Sequence, residues 1–302
     1  MKTSIQFINH ASVIIKGNNI SVLSDPWYQG DAFHKGWNLL CETSDDQILD
    51  ILNNVTHIWI SHEHPDHFSI PFFKRFSNQI NERKIKILFQ KTKDKRVVQF
   101  LKNLSIDYFE LKDNIDLKLD AHFSVTCMKD GFYDSALLIT HENEKILNLN
   151  DCDVTNQNKA KELFSKTGEV DILLTQFSYA AWKGGIENHK WRAEAAAEKL
   201  RTIDLQISIF KPKFVIPFAS FVYFSNQANF YLNDSINRPH DVVERFKNCK
   251  SNVIVLKPND VFGGNFEDAS NTRAIDFWNQ EYVDIKQKKI NLYDKINYEL
   301  IC

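Results

Sequence analysis

The 302-residue sequence predicts an α/β fold in the form of a four-layer αβ/βα sandwich, and three observations point to it. Strand-like segments fall into two groups, one up to residue 109 and one from residue 117 onward. Helical patterns interleave both groups, as they must if each sheet is to bury a face. The strand predicted over 56–60 runs straight into a dense run of histidines and carboxylates.

The elements follow in order. Residues 5–8, 12–15 and 20–23 alternate β-rich residues with the turn signal Gly17-Asn18-Asn19, which predicts a small antiparallel start ending at Ser24-Asp25-Pro26. Ser44-Asp45-Asp46-Gln47 caps a helix with Ile48, Ile51 and Leu52 on its apolar face, and Asn53-Asn54 ends it. After the 56–60 strand, Ser69-Ile70-Pro71 starts a helix that turns Phe72, Phe73 and Phe76 inward. A strand over 85–89, a helix over 95–101 and a strand over 106–109 continue the alternation. From residue 117 the pattern changes to hairpins, with strands over 122–128, 134–140 and 145–149. A helix over 157–166 and a strand over 170–175 restore β-α order. Strong helix formers make 191–200 the clearest helix. Strands over 213–216 and 253–256 flank a helix near 241–248, and a helix or arm from Trp278 packs through its aromatics. This divides the chain into a catalytic domain over 1–260 and an extension over 261–302 packed on the same domain.

Composition narrows the function. The chain is 43% hydrophobic and 25% charged, a normal globular balance, with net charge −2 and pI near 6.6. Such a balance gives no long-range field for nucleic acid or anionic lipid. No apolar run approaches the roughly 20 residues that span a bilayer. The five cysteines are scattered and unpaired in spacing, which fits a reducing compartment. The amino-terminal residues do not read as a signal peptide, so a cytoplasmic location is expected.

The chemistry sits in His62-Glu63-His64-Pro65-Asp66-His67. Three imidazoles and a carboxylate in six positions, on a loop leaving a strand, suit two divalent metal ions: zinc or iron, with manganese also compatible. His62 and His64 can hold one ion while Asp66 and His67 reach a second. Asp66 and Glu63 are the candidates for a part in catalysis, Glu63 as an acceptor for an imidazole N–H. Four ligands cannot complete two sites, so His122, Asp151 and His240 are expected to converge on the loop, with Asp153 and His189 as competitors. His10, His57 and His141 read as structural. Trp27, Trp37, Trp182, Lys183 and Tyr223 are the candidate substrate contacts, because aromatic loops can stack a sugar or a base. Lys190 or Arg192 could grip an anion beside Lys183.

The His-x-His-x-Asp-His loop resembles the signature of the metallo-β-lactamase superfamily. Residues 24–37 leading to 60–69, with Leu149-Asn150-Asp151-Cys152 and the 213–221 segment, are similar to the metal-binding domain of the CMP-N-acetylneuraminate hydroxylases. The resemblance implies the metallo-β-lactamase type of sandwich, His62, His64, Asp66 and His67 as ligands, a carboxylate ligand at Asp151, and a cytosolic protein acting on a nucleotide-linked or other activated sugar. The sequence departs from the hydroxylases in two ways. No cysteine here has the Cys-x-His or Cys-x-x-His spacing of a Rieske cluster, and Ser225 to Asn229 holds no late histidine.

Three functions follow. The first is hydrolysis of an ester, amide or phosphodiester by a metal-activated water. The alternative is a di-iron oxygenase hydroxylating a nucleotide-sugar or related small molecule, with electrons from a separate partner. The third is a non-catalytic metal-binding subunit.

Overall fold

Ile58 and Ile60 face one way from their strand and Trp59 the other, yet all three are fully buried. A strand buried on both faces needs cover on both sides, and the computed structural model, which describes residues 3–263, 268–288 and 290–292, provides it. Trp59 joins the central core between two sheets, whereas Ile58 and Ile60 pack under helices.

The first sheet has seven strands. In spatial order they are Val261–Phe262, Ser4–Asn9, Ser12–Lys16, Ser21–Ser24, His57–Ile60, Lys86–Gln90 and Tyr108–Leu111. Its last four strands run parallel. The second sheet also has seven: Asn252–Val253, Phe214–Phe218, Ile172–Gln176, Glu144–Asn148, Asp134–His141, Phe123–Asp130 and Asp116–Lys118. Helices Asp45–Asn53, Ile70–Glu82 and Arg96–Asn103 cover the outer face of the first sheet through Ile48, Leu52, Phe73, Ile80 and Leu101. Helices Gln157–Thr167 and His189–Phe210 cover the second through Ala160 and Phe210. The result is the four-layer sandwich of the metallo-β-lactamase type.

Local chemistry sets the helix starts. Ser44 accepts from the Gln47 N–H while the Gln47 side chain accepts from the Ser44 N–H, a reciprocal cap. Ser69 accepts from the Phe72 N–H, and Pro71 sits in the first turn where its missing donor costs nothing.

Several elements differ from expectation. The His189–Phe210 helix runs for 22 residues, well past 200, because Ile203 and Phe210 keep burying a face. The strand expected over 253–256 is paired only at Asn252–Val253. A third sheet of Val222–Phe224, Trp37–Leu39 and Asp31–Ala32 forms from segments read as loops. The helix carrying Trp278 begins ten residues before it, at Asp268–Val283. Trp278 stacks on Phe221 at 4.0 Å, and its indole N–H donates to Leu256 O at 2.8 Å.

Candidate metal centre

Parallel strands deliver their following residues to one end of a sheet, and both sheets do so toward the same point. Asp25 follows Ser21–Ser24, the histidine loop follows His57–Ile60, and Asn150 and Asp151 follow Glu144–Asn148. The loop closes on itself, His64 O accepting from the N–H groups of His67 at 3.0 Å and Phe68 at 2.7 Å. Two bonds converge on the Ser61 carbonyl there: Ser135 Oγ, from the second sheet, donates at 2.6 Å and ties the sheets together, and Gln90 Nε2, from the first sheet, donates at 3.2 Å. The first of these fixes the start of the Asp134–His141 strand beside the loop.

Three groups of two imidazoles and one carboxylate result: His62, His64 and Asp134; His10, His67 and Asp66; and His62, His67 and Asp151, each with its donor atoms within 4.8 Å of one another. Asp151 Oδ2 lies 3.9 Å from His62 Nε2 and 3.4 Å from His67 Nε2, so one carboxylate oxygen faces both halves of the cluster. His62 Nε2 is 3.6 Å from Asp134 Oδ1, and Asp66 Oδ2 is 3.2 Å from His67 Nε2 and 3.5 Å from His10 Nε2.

The ring orientations are set from behind. Ser61 Oγ donates to Asp25 Oδ2 at 2.7 Å, which leaves it to accept from His62 Nδ1 at 2.9 Å. His67 Nδ1 donates to Asp25 Oδ2 at 3.0 Å. Asp25 Oδ1 accepts the Ser61 N–H at 2.8 Å, and Asn150 donates to Asp25 as well. Both imidazoles therefore turn Nε2 inward, the orientation that carboxylates behind the ring impose on metal-binding histidines.

The donor set fits metal ions by an independent sign. His10 Nε2, Asp66 Oδ1 and His67 Nε2 are buried without any hydrogen-bond partner. Each such atom costs about 1–3 kcal/mol when left unanswered, and three in one cluster mark a place built for a cation. Electrostatics agree. Burial, with His67 nearby, holds the His62 imidazole down at about 3, the neutral form a ligand needs. Burial disfavours charge on Asp66, yet His67 and His10 keep it well below the usual carboxylate range. Burial likewise works against Asp151, and His67 outweighs it to leave the carboxyl at about 2. Burial also works to lower His67, but Asp66 and Asp151 hold it well above its ordinary value. The carboxylates thus call for positive charge at this point, which a proton or a metal ion can supply. Asp134 is pushed up to about 6 by burial and by Asp151.

His62, His64, Asp66, His67 and Asp151 come together. His122 does not: it is exposed at the start of the Phe123–Asp130 strand, whose opposite end meets the loop. Asp134 stands where an added ligand was expected. His240 is also corrected, lying exposed on the Pro239–Phe246 helix against Asn279 and Asp241. His10, read as structural, faces Asp66 instead. It sits in the hairpin link between two strands with φ 34°, its carbonyl held by the Ala219 N–H at 2.8 Å. Glu63 touches no imidazole nitrogen; its carboxylate pairs with Arg96 at 3.0 Å. His57 bonds to its neighbour Thr56 and His141 across the chain to Thr3, while Asp153 pairs with Lys159 and His189 with Asp234.

A cleft of about 460 Å³ opens on the cluster between Phe33, Trp37, Tyr179, Trp182, Lys183 and Lys199. Trp37, Trp182 and Lys183 therefore reach it, but Trp27 and Tyr223 do not. Trp27 is buried with its ring 5.6 Å edge-on to His10, and Tyr223 is buried in the central core. Arg192 is fully buried and spent on Asp234 and the carbonyls of Gly185 and Ile186. Asp25, His10 and Asp134 were missed by sequence reasoning. Asp25 did carry a signal, as the carboxylate immediately after the strand that ends at Ser24.

The family model of the beta-lactamase superfamily domain matches residues 4–190. Cytidine monophosphate-N-acetylneuraminic acid hydroxylase of Danio rerio is 24% identical over 277 residues, covering 84% of this chain and 44% of the relative. The chain thus spans less than half the length of that relative. Among solved structures, CmlA, a diiron beta-hydroxylase from Streptomyces venezuelae, superposes with TM-score 0.60 at 14% identity over 86% of this chain and 54% of its own. An isothiocyanate hydrolase from Delia radicum gut bacteria gives TM-score 0.61 at 12% identity over 86% and 99%. At these identities the structures show a shared fold. Among the described residues no helix is long and apolar enough to cross a membrane.

Proposed function

The chain belongs to the beta-lactamase superfamily, and from that premise we propose that it is a di-iron oxygenase hydroxylating a ring-bearing small molecule such as a nucleotide-linked sugar. One observation carries the reading. Each of the three donor groups at the cluster is two imidazoles with one carboxylate, the set that open-sided non-haem iron sites use for oxygen chemistry. A set of two imidazoles and one carboxylate also holds catalytic zinc in some hydrolases, so the choice of iron rests on the relative as well. The relative from Danio rerio, a hydroxylase matched over most of this chain, supports the same choice.

In this reading His62, His64 and Asp134 would hold one ion and His10, Asp66 and His67 the other, with Asp151 available to both halves of the cluster. Ions bound there would supply redox chemistry toward dioxygen. The protein's own residues do the rest. Asp25 and Ser61 keep both imidazole Nε2 atoms aimed inward, and Gln176 Nε2 ties down Asp151 Oδ1 at 2.5 Å so that a single oxygen faces the cluster. Trp37, Trp182 and Phe33 offer ring faces to the substrate and keep water from one side of it. Electrons come from a separate donor or a small reductant.

Metal analysis of protein purified without added metal, paired with oxygen uptake over a panel of CMP- and UDP-sugars, tests this. Two irons per chain with reductant-dependent uptake is the expected result. Zinc, no uptake, and turnover of chromogenic esters or phosphodiesters would overturn it in favour of the hydrolase.

A further inference from the structure

Lys199 projects from the His189–Phe210 helix into the wall of the cleft, half-buried. Its Nζ donates to Gln176 Oε1 at 2.7 Å, and Gln176 in turn donates to Asp151 Oδ1. An ammonium has three donors, and this neutral amide takes one. The carboxylates of Asp151, Asp153 and Glu198 act on Lys199 only at a distance, and Lys183 repels it. Burial, the largest influence, lowers its proton affinity.

Of those carboxylates, Asp151 belongs to the metal cluster and Asp153 pairs with Lys159 at 2.7 Å. Asp25, Asp66, Asp134 and Asp151 match two divalent ions charge for charge, and Glu63 is matched by Arg96. With the centre loaded, Lys183 and Lys199 remain as two positive charges lining a partly desolvated cleft. A cation in such a place is costly until an anion answers it. Trp37 and Trp182 line the same cleft, so the anion would be attached to a ring.

We propose that Lys199 and Lys183 form an anion subsite that holds a carboxylate or phosphate of the substrate beside the metal centre, with Trp37 and Trp182 flanking the attached ring. The subsite deepens the metal-enzyme reading and rests on it for the charge balance. It selects anionic substrates, and Lys199 anchors the anion at a fixed distance from Asp151 through Gln176.

Titration calorimetry on the metal-loaded full chain separates the two claims, because binding is read without turnover. The probes are glucuronate and CMP, each against an uncharged counterpart, methyl glucoside and cytidine. Lys199→Met is expected to weaken binding of at least one anion by tenfold or more, to leave the neutral probes and the metal content unchanged, and to flatten the salt dependence. Lys199→Arg should restore most of the loss. A loss confined to glucuronate assigns the subsite to a carboxylate, and one confined to CMP assigns it to a phosphate. Equal loss for neutral and charged probes, unchanged anion binding, or no anion binding by the unaltered protein would overturn the proposal. Zinc and hydrolysis in the metal assay would overturn the oxygenase and leave this result standing.

Discussion

His67 Nδ1 lies 3.0 Å from Asp25 Oδ2, and the opposite nitrogen of the same ring, Nε2, has no hydrogen-bond partner. One side of the imidazole is therefore fixed by a buried carboxylate and the other is open toward Asp66 and Asp151. Such a carboxylate raises ligand basicity and holds the ring, and losing it typically costs 10–100-fold in metal affinity. Asp25→Ala should lower metal affinity by about that factor, read by competition with a calibrated chelator. Circular dichroism controls for folding, since the Ser61 N–H loses its acceptor as well. Unchanged affinity in a folded variant would mean that packing alone orients His67.

The part of the centre legible in the sequence is the part closed by local contacts. His62, His64, Asp66 and His67 lie within one turn, and the His64 carbonyl that shapes the turn is among them. The caps at Ser44 and Ser69 are local in the same way, so those helices start where the sequence says. Asp134 and His10 arrive by a different route. Asp134 is brought in by docking of the two sheets through Ser135 and Ser61, 74 residues apart, and His10 is positioned by Ala219. Nothing within either segment encodes that approach. His122 failed as a ligand for the corresponding reason. A strand has two ends, and the sequence does not say which end of the hairpin meets the loop.

Replacing Asp134 tests that distinction directly. It sits 3.6 Å from His62 Nε2 with no other carboxylate in the His62, His64 group. Asp134→Ala should lower the metal content from two ions to about one, following the ligand count of that group. His122→Ala should leave both in place. Inductively coupled plasma mass spectrometry on protein desalted after loading reads the stoichiometry. Loss of metal from the His122 variant would show that the hairpin is seated differently.

Metal removal should destabilise the fold measurably, because the orphaned atoms of His10, Asp66 and His67 are buried in the folded state only. Ligand that binds the native state alone stabilises it by about 2.7 kcal/mol at 100 times its dissociation constant. For a domain of this size that is a shift of roughly 4 °C in Tm. Differential scanning calorimetry across a chelator titration, with restoration by iron or zinc, checks the effect. A Tm indifferent to chelator would indicate that the cluster holds no ion under those conditions.

Trp278 bears on whether the chain beyond residue 260 shares the fold's cooperativity. Its ring stacks on Phe221 at 4.0 Å and meets Phe7 edge-on at 6.0 Å, so one side chain contacts the first strand and the segment after Phe214–Phe218. The indole N–H spends its donor on Leu256 O, which no smaller apolar residue would replace. Truncating a fully buried tryptophan removes its transfer free energy and opens a cavity, about 3–5 kcal/mol in total. Trp278→Ala should therefore lower the midpoint of urea unfolding while the transition stays single and its slope unchanged. A second, earlier transition, or a small loss with the main transition untouched, would show that the Asp268–Val283 helix unfolds by itself.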